Sequence, residues 1–309
     1  MVTAVTLNPC VDLTLIVSGL AVGGHNETER TRQDVCGKGI NVNIVLQHLD
    51  VETQALGFEF KGSGNALRDA LERQQIPYAL CPVEGEMRVN TKVFDLQSRE
   101  MTEINSAGCP VTAADVERMT ELFAASLPGT DLLVLNGSAP PGVPDGIYRR
   151  MAELAHERGI PVVVDAKGAM LRHALEAGPD MIKPNLEEME QLIGRKLRSF
   201  SEEAEACREL IGRGVGAVCL TLGKGGALYA QGEDLWFSPG LEIPVQSLQG
   251  AGDSLVAGFC AAMLRGERGE ALLRSGVAAA HGSLLHEGTH LCEREDYEHF
   301  LKLIPVERR

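Results

Sequence analysis

Aromatic side chains and membrane-length apolar runs are scarce in this sequence. Phe, Trp and Tyr together make up 4% of the 309 residues, and there is a single Trp. No run of 18 consecutive apolar residues occurs, and no basic stretch precedes the apolar residues near the start. We therefore expect neither a membrane span nor a signal peptide, and we expect a cytoplasmic location.

Positive charge is also in short supply. The chain has 43 acidic and 29 basic residues, which gives a formal net charge of −14. A protein with this balance has no global positive field to attract nucleic acid or an anionic membrane surface. Neither is expected as a partner, so any anionic ligand has to be held by local groups.

The eight cysteines include no C-x-x-C pair, which favours reduced thiols over a disulfide framework or a zinc cage. His281, His286, His290 and Cys292 are close enough in sequence to suggest a metal site. The Gly288-Thr289 pair between them indicates a turn rather than one helix face, which argues against metal binding.

Short apolar, β-branched runs alternate with stretches of helical periodicity along most of the chain. The predicted strands lie at 3–7, 131–136, 160–165, 180–183 and 216–222. The predicted helices lie at 112–127, 144–158, 186–193, 201–212 and 252–265. Asn185 is the predicted cap of the helix at 186–193, and Ser201 is the predicted start of the helix at 201–212. This alternation predicts a single α/β domain over 1–309 with a mostly parallel sheet.

Two regions interrupt this pattern. Residues 11–35 and 86–106 are polar and contain short alternating stretches that are typical of exposed strands. We predict that they form one small β-sheet appendage over the edge of the main sheet.

Polar residues and glycines recur where the predicted parallel strands end. Asp12, Asn136-Gly137-Ser138, Asp165, Lys183-Pro184-Asn185 and Gly223 each follow such a strand. Ligands of open parallel sheets bind at the carboxyl ends of the strands. The sequence therefore predicts a binding site along that edge.

The stretch QGAGDSLVAG places a carboxylate at the start of a predicted helix. The amides of Gly250, Ala251 and Gly252 would suit a phosphate at the helix terminus. A carboxylate on Asp253 beside that phosphate makes chemical sense as the base that takes a proton from an attacking hydroxyl. The alternative is that Asp253 is an ordinary acidic residue of a first helical turn.

Three further motifs each have a functional and a purely structural interpretation. TLGKGG (221–226) suits either a nucleotide site or a glycine-rich hairpin. In KPNLEE, Lys183 and Asn185 would lie near nucleotide phosphates with Glu188 acting on Mg²⁺ through water, or Asn185 and Glu188 would form a helix capping box. CGKGIN, around Lys38, matches neither a P-loop nor a dinucleotide fingerprint, but a helix start beside a lysine still suits an oxyanion or sugar hydroxyls.

The stretch MRVNTK lies in the predicted appendage. Arg88, Asn90 and Lys92 alternate and should share one strand face. They would hold a substrate phosphate, or they would form a solvated strand surface.

Taken in order, LNPCVD, CGKGINV, MRVNTK, NGSAPPGVP, KPNLEE, TLGKGG and GAGDSLVAG resemble the ribokinase-like (PfkB) sugar kinase family over nearly the whole chain. TLNP-x-x-D, GKGINV, R-x-N-x-K and TEIN resemble its phosphosugar branch in particular. The resemblance implies a mostly parallel sheet covered by helices on both faces, a small β-sheet lid, and often a homodimer formed through the lids. The chain departs from the family pattern at Leu248, Met87 and Asp165-Ala166-Lys167-Gly168.

The resemblance also implies a role for each matching residue. Catalysis would rest on Asp253 as base, with an anion hole at Gly250, Ala251 and Gly252. The phosphosugar would contact Asp12, Gly37, Lys38, Gly39, Asn41, Arg88, Asn90, Lys92 and Ser138. ATP would contact Lys183, Asn185, Thr221, Gly223, Gly225 and Gly226. Glu188 would act on Mg²⁺.

The function expected from these residues is ATP-dependent phosphorylation of a primary hydroxyl on a ketohexose phosphate, foremost fructose 1-phosphate. Tagatose 6-phosphate and fructose 6-phosphate are alternative substrates within the same branch. A kinase of an unphosphorylated sugar or nucleoside, which would not need Arg88 or Lys92, is a further alternative. A non-catalytic sugar-phosphate sensor would need none of Asp253, Glu188 and Lys183.

Overall fold

The computed structural model describes residues 1–288 and 290–309. Thr289, on which part of the predicted turn falls, lies outside the described residues. Two sheets organise the rest of the chain. The strands are β1 Val2–Thr6, β2 Cys10–Val17, β3 Arg30–Cys36, β4 Thr53–Phe60, β5 Tyr78–Val83, β6 Arg88–Asp95, β7 Glu100–Ile104, β8 Leu132–Asn136, β9 Val162–Asp165, β10 Met181–Ile182, β11 Ala217–Thr221, β12 Ala227–Gln231, β13 Asp234–Ser238 and β14 Glu307–Arg308.

The helices alternate with the strands of the larger sheet. They are α1 Lys38–His48, α2 Ala66–Arg73, α3 Ala113–Ser126, α4 Ile147–His156, α5 Gly168–Leu175, α6 Leu186–Ile193, α7 Phe200–Gly212, α8 Ala251–Leu264, α9 Glu270–Leu284 and α10 Arg294–Leu303. None of the described helices is long and apolar enough to cross a membrane.

The larger sheet has the order β14-β13-β12-β11-β10-β9-β8-β1-β4-β5. Its strands from β5 to β11 in this order run parallel, while β12 to β14 pair antiparallel. Every residue of β1 and of β8 is buried. Because successive side chains point to opposite faces of a strand, helices must cover the sheet on both sides, as expected from the resemblance.

The predicted appendage is the second sheet, of order β3-β2-β6-β7. It is mixed, since β2 pairs antiparallel with β3 but parallel with β6. On β2, the residues Cys10, Asp12 and Thr14 are buried, while Val11 and Leu13 between them are half-buried. One face of this sheet, which we call the lid, therefore faces the body of the protein.

The predicted element positions are confirmed with small shifts. The helix predicted from residue 144 begins at Ile147, because Pro144 to Gly146 form a turn closed by the Ile147 amide on the Pro144 carbonyl. The helix predicted from 201 is capped by Ser199 and not opened by Ser201. Asp12, predicted at the end of the first strand, lies within β2 of the lid.

Candidate active site

Asp253 lies in the first turn of α8, at the edge where the parallel strands end. The turn before it depends on Gly250, whose φ of 74° lies in the left-handed region that glycine adopts without strain. The amides of Ala251 and Gly252 begin the helix, and a Cβ at Gly252 would lie 3.7 Å from Nζ of Lys183. The helix start therefore presents backbone amides next to a cation, an arrangement suited to a phosphate.

The Asp253 carboxylate is 7% exposed and accepts a hydrogen bond of 2.7 Å from the Asn41 side-chain amide of α1. Within the described chain, no lysine, arginine or histidine forms a salt bridge with it. Burial raises the pKa of Asp253 to about 6, against the opposing effect of the Lys38 charge. A carboxylate with this pKa is mostly ionised at neutral pH yet basic enough to accept a proton.

Asp165, at the end of β9, is the ion-paired carboxylate of the site. Its oxygens lie 3.0 Å from Nζ of Lys38 and 3.2 Å from Nζ of Lys183. Burial alone would raise the pKa of Asp165, but the charges of Lys183 and Lys38 bring it below its usual value. Partial desolvation would lower the pKa of Lys38, but the charges of Asp165 and Asp253 raise it above its usual value, so Lys38 stays a cation.

A second cluster forms around Asp12 on the inner face of the lid. One carboxylate oxygen accepts hydrogen bonds from Lys92 at 2.6 Å and Gln249 at 2.7 Å, and the other accepts one from Asn90 at 3.0 Å. Burial would raise the pKa of Asp12, but the hydrogen bond and charge of Lys92 bring it below its usual value. Gln249 precedes Gly250, so this cluster links the lid to the loop that begins α8.

The alternation along β6 places Arg88, Asn90 and Lys92 on one face, as predicted, but Arg88 is not among the donors to Asp12. The guanidinium of Arg88 donates to the carbonyls of Asn8 and Ser106. It lines a cavity of about 300 Å³ together with Ser138, whose hydroxyl lies 3.4 Å from Nδ2 of Asn8. The cavity thus offers a cation and a hydroxyl, with the carboxylate of Asp145 also in its lining.

The residues of the predicted nucleotide site gather where β10 and β11 end. Asn185 and Thr221 form a parallel bridge, and the Thr221 amide donates to the Pro184 carbonyl. Gly223 to Gly225 form a single 3₁₀ turn, and Gly226 continues into β12. A hairpin with a glycine turn is therefore present, and its turn lies beside the start of α6.

Asn185 and Glu188 form the capping box that was weighed against a ligand role. The Glu188 amide donates to Oδ1 of Asn185 at 2.8 Å, and the Asn185 amide donates to Oε2 of Glu188 at 3.0 Å. The structural interpretation of this motif is correct. It leaves Glu188 half-buried with a second carboxylate oxygen available at the same edge of the sheet.

Gly37 and Gly39 serve the packing of α1 against β1. A Cβ on either would lie within 2.6 Å of the Thr6 side chain. The histidines near the C-terminus have protein partners: His281 accepts from the Leu241 amide at 2.9 Å, and His286 lies 2.7 Å from Asp296. Cys292 is buried, and its amide donates to Ser283.

Two residues that organise the site, Asp165 and Gln249, have no local sequence pattern that indicates their role. Asp165 stood out by its position after a strand and in the departure from the family pattern at 165–168, but its pairing with two lysines distant in sequence had no local signature. Gln249 was quoted as the residue before GAGD, but its contact with Asp12 joins positions 237 residues apart. The only local signal was that each of these polar residues lies next to a loop at the predicted binding edge.

In sequence and in fold, the chain is similar to known carbohydrate kinases. The model of the pfkB family carbohydrate kinases matches residues 5–296. The 1-phosphofructokinase of Bacillus subtilis (strain 168) is 32% identical over 287 residues, which cover 93% of each chain. That of Rhodobacter capsulatus is 33% identical over 304 residues, covering 94% of this chain and 92% of the relative.

Solved structures with the same fold include phosphofructokinase-2 from Escherichia coli in complex with substrates and products. It has a TM-score of 0.90 and 26% identity, covering 98% of this chain and 99% of that one. A possible 1-phosphofructokinase from Thermotoga maritima has a TM-score of 0.89 and 28% identity, covering 100% and 99%. The chain therefore belongs to the pfkB family of carbohydrate kinases. Within that family it is an ATP-dependent sugar-phosphate kinase.

Proposed function

We propose that this kinase transfers the γ-phosphoryl group of ATP to the 6-hydroxyl of fructose 1-phosphate, giving the 1,6-bisphosphate, with Asp253 as the general base. Fructose 1-phosphate is favoured over other phosphosugars because the relatives at 32–33% identity are named 1-phosphofructokinase. Tagatose 6-phosphate and fructose 6-phosphate remain alternatives, the latter because of the likeness in fold to phosphofructokinase-2.

The observation that carries the proposal is the contrast between the two buried carboxylates. Two lysines lower the pKa of Asp165, whereas burial beside a neutral amide raises that of Asp253 to about 6. Environments that push two pKa values apart assign the roles of acid–base groups. Asp165 stays an anion that positions cations, and Asp253 is the group able to take the hydroxyl proton.

The surrounding groups suit the charge that develops during phosphoryl transfer. Enzymes of this class act mainly by positioning and by electrostatic stabilisation of the transferred group. Lys38 and Lys183, held by Asp165, and the amides of Gly250 to Gly252 supply positive charge and donors on the side of Asp253. A sensor would need sugar affinity but no buried base beside two cations, so this set favours an enzyme.

The residues present also fit ATP with Mg²⁺. Oδ1 of Asn41 and both Nδ2 and Oδ1 of Asn136 are buried without a hydrogen-bond partner in the described chain. Asn136 ends β8 at the same edge of the sheet. Glu188 offers a carboxylate oxygen for a magnesium-bound water. Mg²⁺ would neutralise charge on the phosphates, while Lys183, Asn185, Thr221 and the glycine turn at Gly223 to Gly226 bind the nucleotide.

A phosphorylated sugar is favoured over a plain sugar or nucleoside by the Arg88 cavity. Arg88 and Ser138 line it with a cation and a hydroxyl, and a guanidinium binds phosphate by paired hydrogen bonds. Asp12, with Asn90 and Lys92, would bind sugar hydroxyls between that cavity and Asp253.

Release of ADP tests this proposal directly when it is coupled to a reporter and measured with fructose 1-phosphate, fructose 6-phosphate, tagatose 6-phosphate, fructose and ribose. We expect kcat/KM to be highest for fructose 1-phosphate. A higher value for another phosphosugar would replace the substrate but keep the reaction. Equal or better rates on the plain sugars would overturn the choice of a phosphosugar.

We also propose a homodimer formed through the lids. The face of the lid turned away from the body is apolar, with Val89 46% and Ile104 62% exposed and Val11 and Leu13 half-buried beside them. Exposed apolar patches of this kind mark protein interfaces. Light scattering should give a dimer for the wild type and a monomer for Ile104→Glu. Met101→Glu, on the other face of β7, is the matched control, and a monomeric wild type would contradict the proposal.

A further inference from the structure

Two thiols meet at the base of the lid. Cys10 is the first residue of β2 and Cys36 the last of β3, and the two are directly opposite in the antiparallel pairing. Their sulfurs lie 3.4 Å apart. Facing residues of antiparallel strands have Cα separations of about 4.5–5.5 Å, within the range that disulfides span.

We propose that Cys10 and Cys36 form an oxidisable pair, converted by a peroxide to a disulfide that restrains the lid. Both thiols are buried and free in the reduced protein. Formation of the bond requires a shift of the sulfurs from contact to covalent distance, and the strand pairing already supplies the alignment. The pairing makes each of these cysteines the nearest partner for oxidation of the other.

The position of the pair gives the bond a consequence for the lid. The chain passes from the body into the lid immediately before Cys10 and returns to the body immediately after Cys36, where Gly37 precedes α1. A disulfide here would join the two connections covalently and limit the motion of β2 and β3 relative to α1. Closure of a lid over substrates commonly depends on small dihedral changes in such connections.

The pair also contacts the sugar-binding cluster. The Cys10 thiol donates to Oδ1 of Asp12 at 3.5 Å. Oxidation removes this donor and draws Sγ of Cys10 towards Cys36. Although the two sulfurs and the Asp12 carboxylate are close enough to suggest a cation site, the ammonium of Lys92 on the same carboxylate disfavours one.

The chemistry balances with hydrogen peroxide as the oxidant. One thiol, as its thiolate, attacks a peroxide oxygen and becomes a sulfenic acid, and the second displaces that hydroxyl to form the S–S bond. Overall two thiols and one peroxide give one disulfide and two waters, so sulfur is oxidised and peroxide reduced. The hydrogen bond with Cys10, together with burial, raises the pKa of Cys36, so the reaction should be slow.

The experiment treats the full-length protein with hydrogen peroxide, alkylates the remaining thiols after denaturation, and maps peptides by mass spectrometry without reduction. We expect a peptide containing Cys10 linked to one containing Cys36, lighter than their sum by two hydrogens. This arm needs no substrate and so does not depend on the proposed function. Absence of the linked peptide, or linkage of either residue to another cysteine, would overturn the proposal.

A second arm measures turnover and rests on the proposed function, with the substrate that the panel identifies. Turnover should fall as the cross-link forms and return after treatment with dithiothreitol. Relative to its own untreated activity, Cys36→Ser should lose the reversible part of the inactivation, whereas Cys109→Ser, which removes a more accessible thiol, should keep it. Cys10→Ala gives the same test if Cys36→Ser folds poorly. A cross-link that leaves turnover unchanged would refute the effect on the lid.

Discussion

The side-chain amide of Asn41 donates a hydrogen bond of 2.7 Å to Oδ2 of Asp253. It connects the starts of α1 and α8, two helices that pack against each other beneath the ends of the parallel strands. Because the donor is neutral, it orients the carboxylate without cancelling its charge. The remaining lone pairs of Asp253 would be left for a hydroxyl of the proposed substrate.

Replacing Asp253 by Asn should lower kcat by roughly 10²–10⁴-fold, the usual contribution of a general base. The amide nearly preserves the shape of the side chain, so the KM for the sugar phosphate should change little. Steady-state kinetics with both substrates varied would test this. The matched control is Glu267→Gln, a carboxylate that pairs with Arg265 on the surface. Near-normal turnover of Asp253→Asn would remove the base from the mechanism.

The pH profile provides an independent check of the same role. Burial raises the pKa of Asp253 to about 6, and a general base, the role proposed for Asp253, acts in its deprotonated form. The value of kcat/KM should therefore fall as the pH drops through about 6 and level off above it. The residual activity of Asp253→Asn should lack this limb. A limb that persists in the variant would belong to another group.

Much of this architecture followed from local pattern. The glycine loops, the caps at Thr112 and Asn185, and the buried β-branched runs each act within a few residues. These local signals therefore predicted the elements and the edge of the sheet where polar side chains gather. Pairings across the fold had no such signal. The ion pairs of Asp165 and the contact of Gln249 with Asp12 depend on how distant segments meet, and hydrophobic periodicity carries no information about that.

Removing the charge of Asp165 should destabilise the protein. Asp165→Asn leaves Lys38 and Lys183 without their shared anion, and breaking a buried pair of this kind costs roughly 3–5 kcal/mol. Urea unfolding at pH 7 would measure the loss. Asp234→Asn, which breaks a surface pair with Arg308, should cost less than about 1 kcal/mol.

The sign of the pH dependence follows from the lowered pKa of Asp165. Its stabilising effect is complete above the unfolded-state pKa of about 3.9 and is lost as the pH falls through the lower folded-state value. The deficit of Asp165→Asn should therefore shrink in acid. A deficit of equal size at pH 7 and at pH 2 would indicate lost packing rather than lost charge.

Arg88→Ala separates a phosphosugar kinase from a kinase of plain sugars. If the cavity binds the sugar phosphate, loss of a charged hydrogen bond should raise the KM for that substrate by roughly 10–100-fold, with the KM for ATP unchanged. Arg30→Ala, which removes an exposed arginine of the lid paired with Glu287, is the control. An unchanged sugar KM in Arg88→Ala would show that the cavity is not used.

Gln249 provides the hydrogen bond between the loop that begins α8 and the lid. Its side-chain amide donates a hydrogen bond of 2.7 Å to Asp12, which also accepts hydrogen bonds from Lys92 and Asn90. Gln249→Ala should weaken this link and release β2 of the lid from the loop that begins α8. Because a hydrogen bond to a charged acceptor contributes about 1.5–3 kcal/mol, the KM for the sugar should rise by roughly tenfold or more.

The KM for ATP in Gln249→Ala should stay close to that of the wild type, since the residues proposed to bind ATP, Lys183, Asn185 and Thr221, lie on the body, and the side chain of Gln249 donates to Asp12 of the lid. Gln246→Ala removes an exposed glutamine from the same loop and should change neither constant. If instead the KM for ATP rose while the KM for the sugar stayed unchanged, Gln249 would support the shape of the loop at Gly250 to Gly252 rather than the position of the lid. The two constants thus distinguish a residue that couples lid and body from one that only supports the loop.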